Sequence, residues 1–144
     1  MIARPALLAA PALAAALIVS GCAPADPEAQ AARAARDAAR TPAVTVLGPG
    51  ENCITQSQVR QSIVRSESVI DFEMRGGKVY RSTLPNRCPG LTLDRAISWD
   101  NSIDQLCRQQ IVYSLQNFAG TIQRGAACGL GEFVPVEYAK KAKG

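Results

Sequence analysis

Four cysteines, Cys53, Cys88, Cys107 and Cys128, constrain this chain more than any other feature, because they share one stretch of a sequence that contains no histidine. Thiols grouped in this way either hold zinc or pair with one another. A zinc site calls for four closely spaced ligands, commonly including a C-x-x-C pair. Here the spacings are 35, 19 and 21 residues, and no histidine can complete a mixed site. An even number of cysteines in an exported chain reads instead as a disulfide framework. Export is written in the first residues: Arg4, an apolar run from Ala6 to Val19 that includes Pro11, then small residues, the order of a signal segment. The run is shorter than the roughly 20 residues that a spanning helix needs. Neither a metal nor a cofactor is expected.

The fifth cysteine closes Leu17-Ile18-Val19-Ser20-Gly21-Cys22. This stretch resembles the lipobox of bacterial lipoproteins. The resemblance implies removal of residues 1–21, a diacylglycerol on the Cys22 thiol and acylation of the new amino terminus. Two or more chains hold a protein stably, since each buried methylene contributes about 0.8 kcal/mol. A plain secretory signal cut elsewhere is the alternative, and it leaves Cys22 as an unpaired thiol in an oxidising compartment. In enterobacterial lipoproteins an aspartate after the cysteine favours retention in the inner membrane. Ala23 stands there, so the resemblance implies the periplasmic face of the outer membrane, with the membrane itself as first partner.

Four cysteines allow three pairings. The expected one joins Cys53 to Cys128, tying the ends of the domain together, and Cys88 to Cys107, closing its central strands. In the chain-entropy model a bridge closing about 20 residues contributes about 3 kcal/mol. That is a large share of the roughly 5 to 10 kcal/mol expected for a small domain.

The formal charge of +4 does not make a nucleic-acid footprint, which needs positive charge clustered on one face. Residues 51–138 carry nine basic and nine acidic side chains, while Lys140, Lys141 and Lys143 crowd the end. Nucleic acid is therefore not an expected partner, and residues 139–144 read as a basic, solvated tail.

Residues 22–50 read as a spacer. They hold almost no large apolar side chain before Val44 and so cannot form a core. Asp26, Pro27 and Glu28 make a helix start, and Thr41-Pro42 ends the helix after Arg40. An alanine-rich helix of this length is marginal in isolation. It would carry Arg33, Arg36 and Arg40 on one face, either to meet phospholipid headgroups or as solubilising charge. Val44 to Leu47 reads as a short strand or an extended lead-in.

From Glu51 to Tyr138 β signals dominate. One helical turn is expected within Thr55 to Gln61, then a strand at Ile63 and Val64. The clearest element is a hairpin of Val69–Arg75 and Lys78–Leu84 around Gly76-Gly77. A two-residue loop sets Met74 opposite Val79. A three-residue loop, Gly76-Gly77-Lys78, sets Met74 opposite Tyr80 and Ile70 opposite Leu84, and is favoured because it gathers the apolar side chains on one face. Cys88-Pro89-Gly90-Leu91 suits a type II turn. Ala96–Trp99 and Ile103–Cys107 read as a strand and its return about Asp100-Asn101-Ser102, and Ile111–Leu115 as another strand. A glycine-rich loop to Cys128 and a closing edge strand, Glu132–Val136, complete the pattern, with Pro135 tolerated at an edge. Short strands punctuated by turns predict an all-β fold, a small disulfide-bonded antiparallel barrel or sandwich preceded by an Ala/Arg-rich marginal helix.

Cys53, Tyr80-Arg81-Ser82-Thr83-Leu84, Cys88-Pro89-Gly90-Leu91, Cys107, and Cys128 with Phe133 and Pro135 together resemble a group of small uncharacterised exported proteins of proteobacteria. The resemblance covers about residues 52–136. It implies the bridging cysteines and carries over no activity.

Candidate chemistry is sparse. The absence of histidine excludes Ser-His-Asp and Cys-His nucleophiles. Asp71 and Glu73, two apart on a strand, share a face at about the 7 Å spacing of glycosidase carboxylates, although such alternation is also how a solvent face looks. Asp100 to Asp104 lacks the glycine turn and terminal glutamate of an EF-hand loop. Trp99, Tyr80, Tyr113 and Phe133 either line a binding surface or pack the core. The expectation is a non-catalytic lipoprotein whose tethered β domain binds another envelope component. The alternatives are a lipid-anchored inhibitor of an envelope-directed hydrolase, such as a lysozyme or protease, and a cell-wall glycan hydrolase acting through Asp71 and Glu73.

Overall fold

The computed structural model describes residues 26–139. The signal segment, the lipobox with Cys22, and Lys140, Lys141 and Lys143 lie outside the described residues. The chain runs helix α1 (Pro27–Arg40), β1 (Val44–Val46), β2 (Cys53–Thr55), a 3-10 turn (Gln56–Gln58), β3 (Val59–Val64), β4 (Val69–Met74), β5 (Val79–Thr83), β6 (Ala96–Ser98), β7 (Gln105–Cys107), β8 (Ile111–Phe118), β9 (Thr121–Gly129) and β10 (Phe133–Tyr138).

Helix α1 starts where its capping residues predict. The Asp26 carboxylate accepts from the Glu28 amide at 3.0 Å, Pro27 opens the first turn and Thr41 caps the end, its hydroxyl donating to the Asp37 carbonyl. No side chain of α1 is buried.

The strands form three antiparallel sheets, in the orders β1-β10-β5-β4-β3, β2-β7 and β6-β8-β9. Alternation on β4 sends Ile70, Phe72 and Met74 to one face, where cross-strand pairing adds Tyr80 and Ser82 from β5 and Phe133 from β10. Against that face pack Ile54 and Leu106 of the two-stranded sheet and Val112, Cys128 and Leu130 of the β8–β9 region. Phe72 and Phe133 meet edge to face at the centre, with centroids 5.4 Å apart. The result is sandwich-like, and no sheet of the described residues closes into a barrel.

The 70s hairpin has the expected three-residue loop, but the register differs by two. Phe72 lies opposite Tyr80 and Ile70 opposite Ser82. The loop is Arg75-Gly76-Gly77, because Gly77 takes the left-handed conformation, at φ 83°, that such a loop requires at its last position. A shift of two preserves the face, so the apolar residues still gather on the core side.

Three further expectations are corrected. The stretch before Cys128 is not a loop but β9, paired with β8 through a turn in which Ala119 and Gly120 both have positive φ, the geometry of a two-residue hairpin turn. The closing strand is interior, lying between β1 and β5. Pro135 is accommodated because its carbonyl accepts from Leu47, just past the last β1 pair, so the missing donor falls where β1 ends. The main sheet thus takes in Val44–Val46 from the stretch read as spacer.

The third correction concerns the bridges, which are Cys53–Cys107 and Cys88–Cys128 rather than Cys53–Cys128 and Cys88–Cys107. β7 does not return onto β6. It pairs with β2, which puts Cys107 directly opposite Cys53. The intervening segment is held as a crossover: Asp104 caps the 3-10 turn through the Ser57 amide and hydroxyl, and Asn101 bonds the Gln105 carbonyl and Gln110. Cys88 opens the expected type II turn, with Leu91 donating to its carbonyl and Gly90 at φ 79°, and from there reaches Cys128 on β9.

Between β9 and β10, Gly131 passes so close to β5 that an added Cβ would lie 1.9 Å from the Thr83 carbonyl oxygen. Gly131→Ala is expected to destabilise the domain by about 1 to 3 kcal/mol, read as a lower urea midpoint at unchanged slope.

Candidate functional site

The two carboxylates of β4 have different fates. Asp71 is not on a solvent face: it is fully buried beneath a charge cluster on the side of the main sheet away from the core. Arg81, opposite it on β5, donates from Nε to Oδ1 at 2.7 Å and from Nη2 to Oδ2 at 3.0 Å. Arg65, at the end of β3, donates from Nε to Oδ2 at 2.8 Å. Tyr138 on β10 donates its hydroxyl to the same oxygen at 3.2 Å and lies beneath the Arg65 guanidinium. Burial pushes the Asp71 carboxyl up, but the Arg81 and Arg65 guanidiniums outweigh it and hold the acid below its usual range. Glu73 instead pairs with exposed Arg60 and accepts from Gln61. A buried, doubly paired carboxylate beside a rim ion pair has the geometry of a structural clamp.

Arg81 also ties α1 to the sheet, since its Nη1 donates to the Pro42 carbonyl at 3.2 Å. Sequence patterning on β4 alone could not find this cluster, whose members come from β4, β5, β10 and the residue that follows β3. The available signal was the opposite charge of Asp71 and Arg81, which face each other only in the observed register.

The other candidates fall as follows. Phe133 and Tyr80 are core residues, and the Tyr80 hydroxyl donates to Glu51. Trp99 packs partly against the core. Tyr113 lies under the Arg124 guanidinium, 4.8 Å from its ring centroid, and Arg124 grips Asp100 with two bonds of 2.6 and 2.7 Å. That guanidinium draws the Asp100 carboxyl below its ordinary value. Asp100 and Asp104 therefore serve separate partners. The four domain cysteines are all consumed in bridges.

One surface stands apart from these closed contacts. β9 is nine residues long, forms the edge of its sheet and is exposed over most of its length. It leaves the domain as a hairpin whose end carries Phe118 and Ile122, 57% and 68% exposed. Their register partners, Thr121 and Asn117, place the two apolar side chains on opposite faces of the ribbon. Compared with protein-family models, curated proteins and solved structures, the chain matches none.

Proposed function

We propose that this protein is a lipid-anchored, non-catalytic binding module of the bacterial envelope. Cys22 carries the lipid on the periplasmic face of the outer membrane, and the β domain docks on another envelope protein by strand addition along β9. The observation that supports this reading most is the edge itself: among the described residues no strand covers the outer side of β9, a long edge of this kind templates pairing with another strand, and apolar side chains flank its start. Two disulfides fit the oxidising compartment that the signal segment implies.

A photo-reactive residue placed at Ile122 of the full chain tests the reading in cells. It is expected to capture one defined protein, whereas the same probe at Arg108, outside the hairpin, captures none, and Cys22→Ala lowers the yield. Recovery of a hydrolase would assign the inhibitor role. Capture of no defined protein at Ile122, or equal capture at Arg108, rejects docking on β9.

A further inference from the structure

The exit of α1 leaves a second feature that the docking surface does not use. Arg40, Arg65 and Arg95 line a cleft of about 330 Å³ against β3, together with Ser62, Ile63 and Val64, and among the described residues no carboxylate lines it. Arg65 brings little compensation, because the cluster behind it sets two guanidiniums against the single Asp71 carboxylate. Arg95 is unusual twice over. Its backbone holds φ 53°, a conformation that non-glycine residues adopt at a cost and that concentrates at functional sites. Its Nη1 donates to the Val64 carbonyl at 2.9 Å, while its Nη2 is buried with no hydrogen-bond partner among the described residues. A buried orphan donor on a cation is costly unless an anion meets it.

The neighbouring surface is mixed but net positive: Arg33, Arg36, Arg40 and Arg87 line it with the carboxylates of Asp37 and Glu67, and Glu67 pairs with Arg87. Arg33 and Arg36 stand with Arg40 along one side of α1 and line an adjoining cleft of about 570 Å³. Arg36 stands three residues from Arg33 and four from Arg40, a like-charge spacing that destabilises a helix and that Asp37, four from Arg33 and three from Arg40, offsets in part; a bound anion relieves the remainder. The bond from Arg81 to the Pro42 carbonyl holds the chain just past α1, and Arg40 lines the same cleft as Arg95. Three guanidiniums outweigh the partial negative pole at the carboxyl end of the helix, which is equivalent to about half a charge. Their planar forks match phosphate oxygens bidentately, and a phosphate answers the charge of several guanidiniums at once.

We propose that the cleft between α1 and β3 binds a phosphate group through Arg40, Arg65 and Arg95, with Arg33 and Arg36 extending the site for a second negative charge. A phospholipid headgroup and a soluble phosphate present the same chemistry, and two arms of one experiment separate them. The site lies on α1 and β3, apart from β9, so it stands or falls independently of strand docking.

The probes are inorganic phosphate, followed by calorimetry, and vesicles of phosphatidylcholine with or without phosphatidylglycerol, followed by sedimentation. The full chain is used throughout. Its apolar amino-terminal segment contributes equally in every variant, and that background is read from phosphatidylcholine alone. Arg40→Gln is the test variant, because α1 buries no side chain. Arg108→Gln, paired at the surface with Glu132, removes one charge elsewhere. Arg40→Gln is expected to weaken anion binding about fivefold, the worth of one arginine near an anionic surface, and Arg108→Gln to leave it unchanged. Loss confined to vesicles assigns a lipid headgroup; loss confined to inorganic phosphate assigns a soluble ligand; loss in both assigns the phosphate group itself. If Arg40→Gln binds both probes like the wild type, or Arg108→Gln loses as much, there is no such site.

Discussion

Asp71→Ala is expected to destabilise the domain by about 3 to 5 kcal/mol, the range for removing one member of a buried ion cluster. The carboxylate is fully buried and accepts from Arg81, Arg65 and Tyr138. Without it two guanidiniums face each other over the sheet, with only 20% and 14% of their side chains exposed. Asp71→Asn keeps the shape but not the charge and is expected to fall in the same direction. Glu73→Gln, two residues along the same strand, should cost about 1 kcal/mol or less, because its partner Arg60 is 63% exposed and water compensates. Urea unfolding of the three variants measures the contrast. The same cluster sets an acid limit. The folded Asp71 carboxyl titrates below its ordinary value, so its contribution is complete above the unfolded value, about pH 4. It is lost as pH falls through the folded value.

The second large effect lies in the bridges. Replacing Cys88 and Cys128 together with alanine is expected to cost about 4 kcal/mol in the chain-entropy model, given a separation of 40 residues. The pair Cys53 and Cys107, 54 residues apart, has a similar expected cost of about 4 kcal/mol. Either loss is a large share of the roughly 5 to 10 kcal/mol expected for a small domain, so opening both is expected to unfold the protein. A peptide map without reduction checks the pairing directly: Cys53 must travel with Cys107, and recovery of Cys53 joined to Cys128 would overturn the structure's arrangement.

Local chemistry made much of this fold legible. Asp26-Pro27-Glu28 marks α1 because a capping acid and a proline at the first position act within one turn. Cys88-Pro89-Gly90-Leu91 marks its turn because only glycine takes the positive φ cheaply. Alternation marks β4 and β5 for the same local reason. What escaped depends on distant partners. Thr121–Gly129 looked like a loop because glycine and alanine carry little strand preference, and the strand forms through pairing with β8. Asp100-Asn101-Ser102 looked like a hairpin turn, yet the side chains of Asn101 and Asp104 serve a crossover, which delivers β7 to β2 and decides the bridges. Apolar residues alone do not fix the register of the 70s hairpin. The expected loop and the observed one gather those residues equally, and what separates them is the glycine at the last loop position, Gly77, and the charge pair Asp71 with Arg81. The arginine cleft was half visible, in the spacing of Arg33, Arg36 and Arg40, while Arg65 and Arg95 reach it only through the fold.

The two bridges interleave along the chain, Cys53 to Cys107 and Cys88 to Cys128, and this has a consequence for survival among proteases. A single cut anywhere between Cys53 and Cys128 leaves two fragments still covalently joined, and a cut between Cys88 and Cys107 leaves them joined twice. A nick in the exposed β8–β9 ribbon therefore releases nothing: the fragment that begins beyond the cut stays fastened at Cys128 to the turn at Cys88, and β10 remains tied to the sheet it completes.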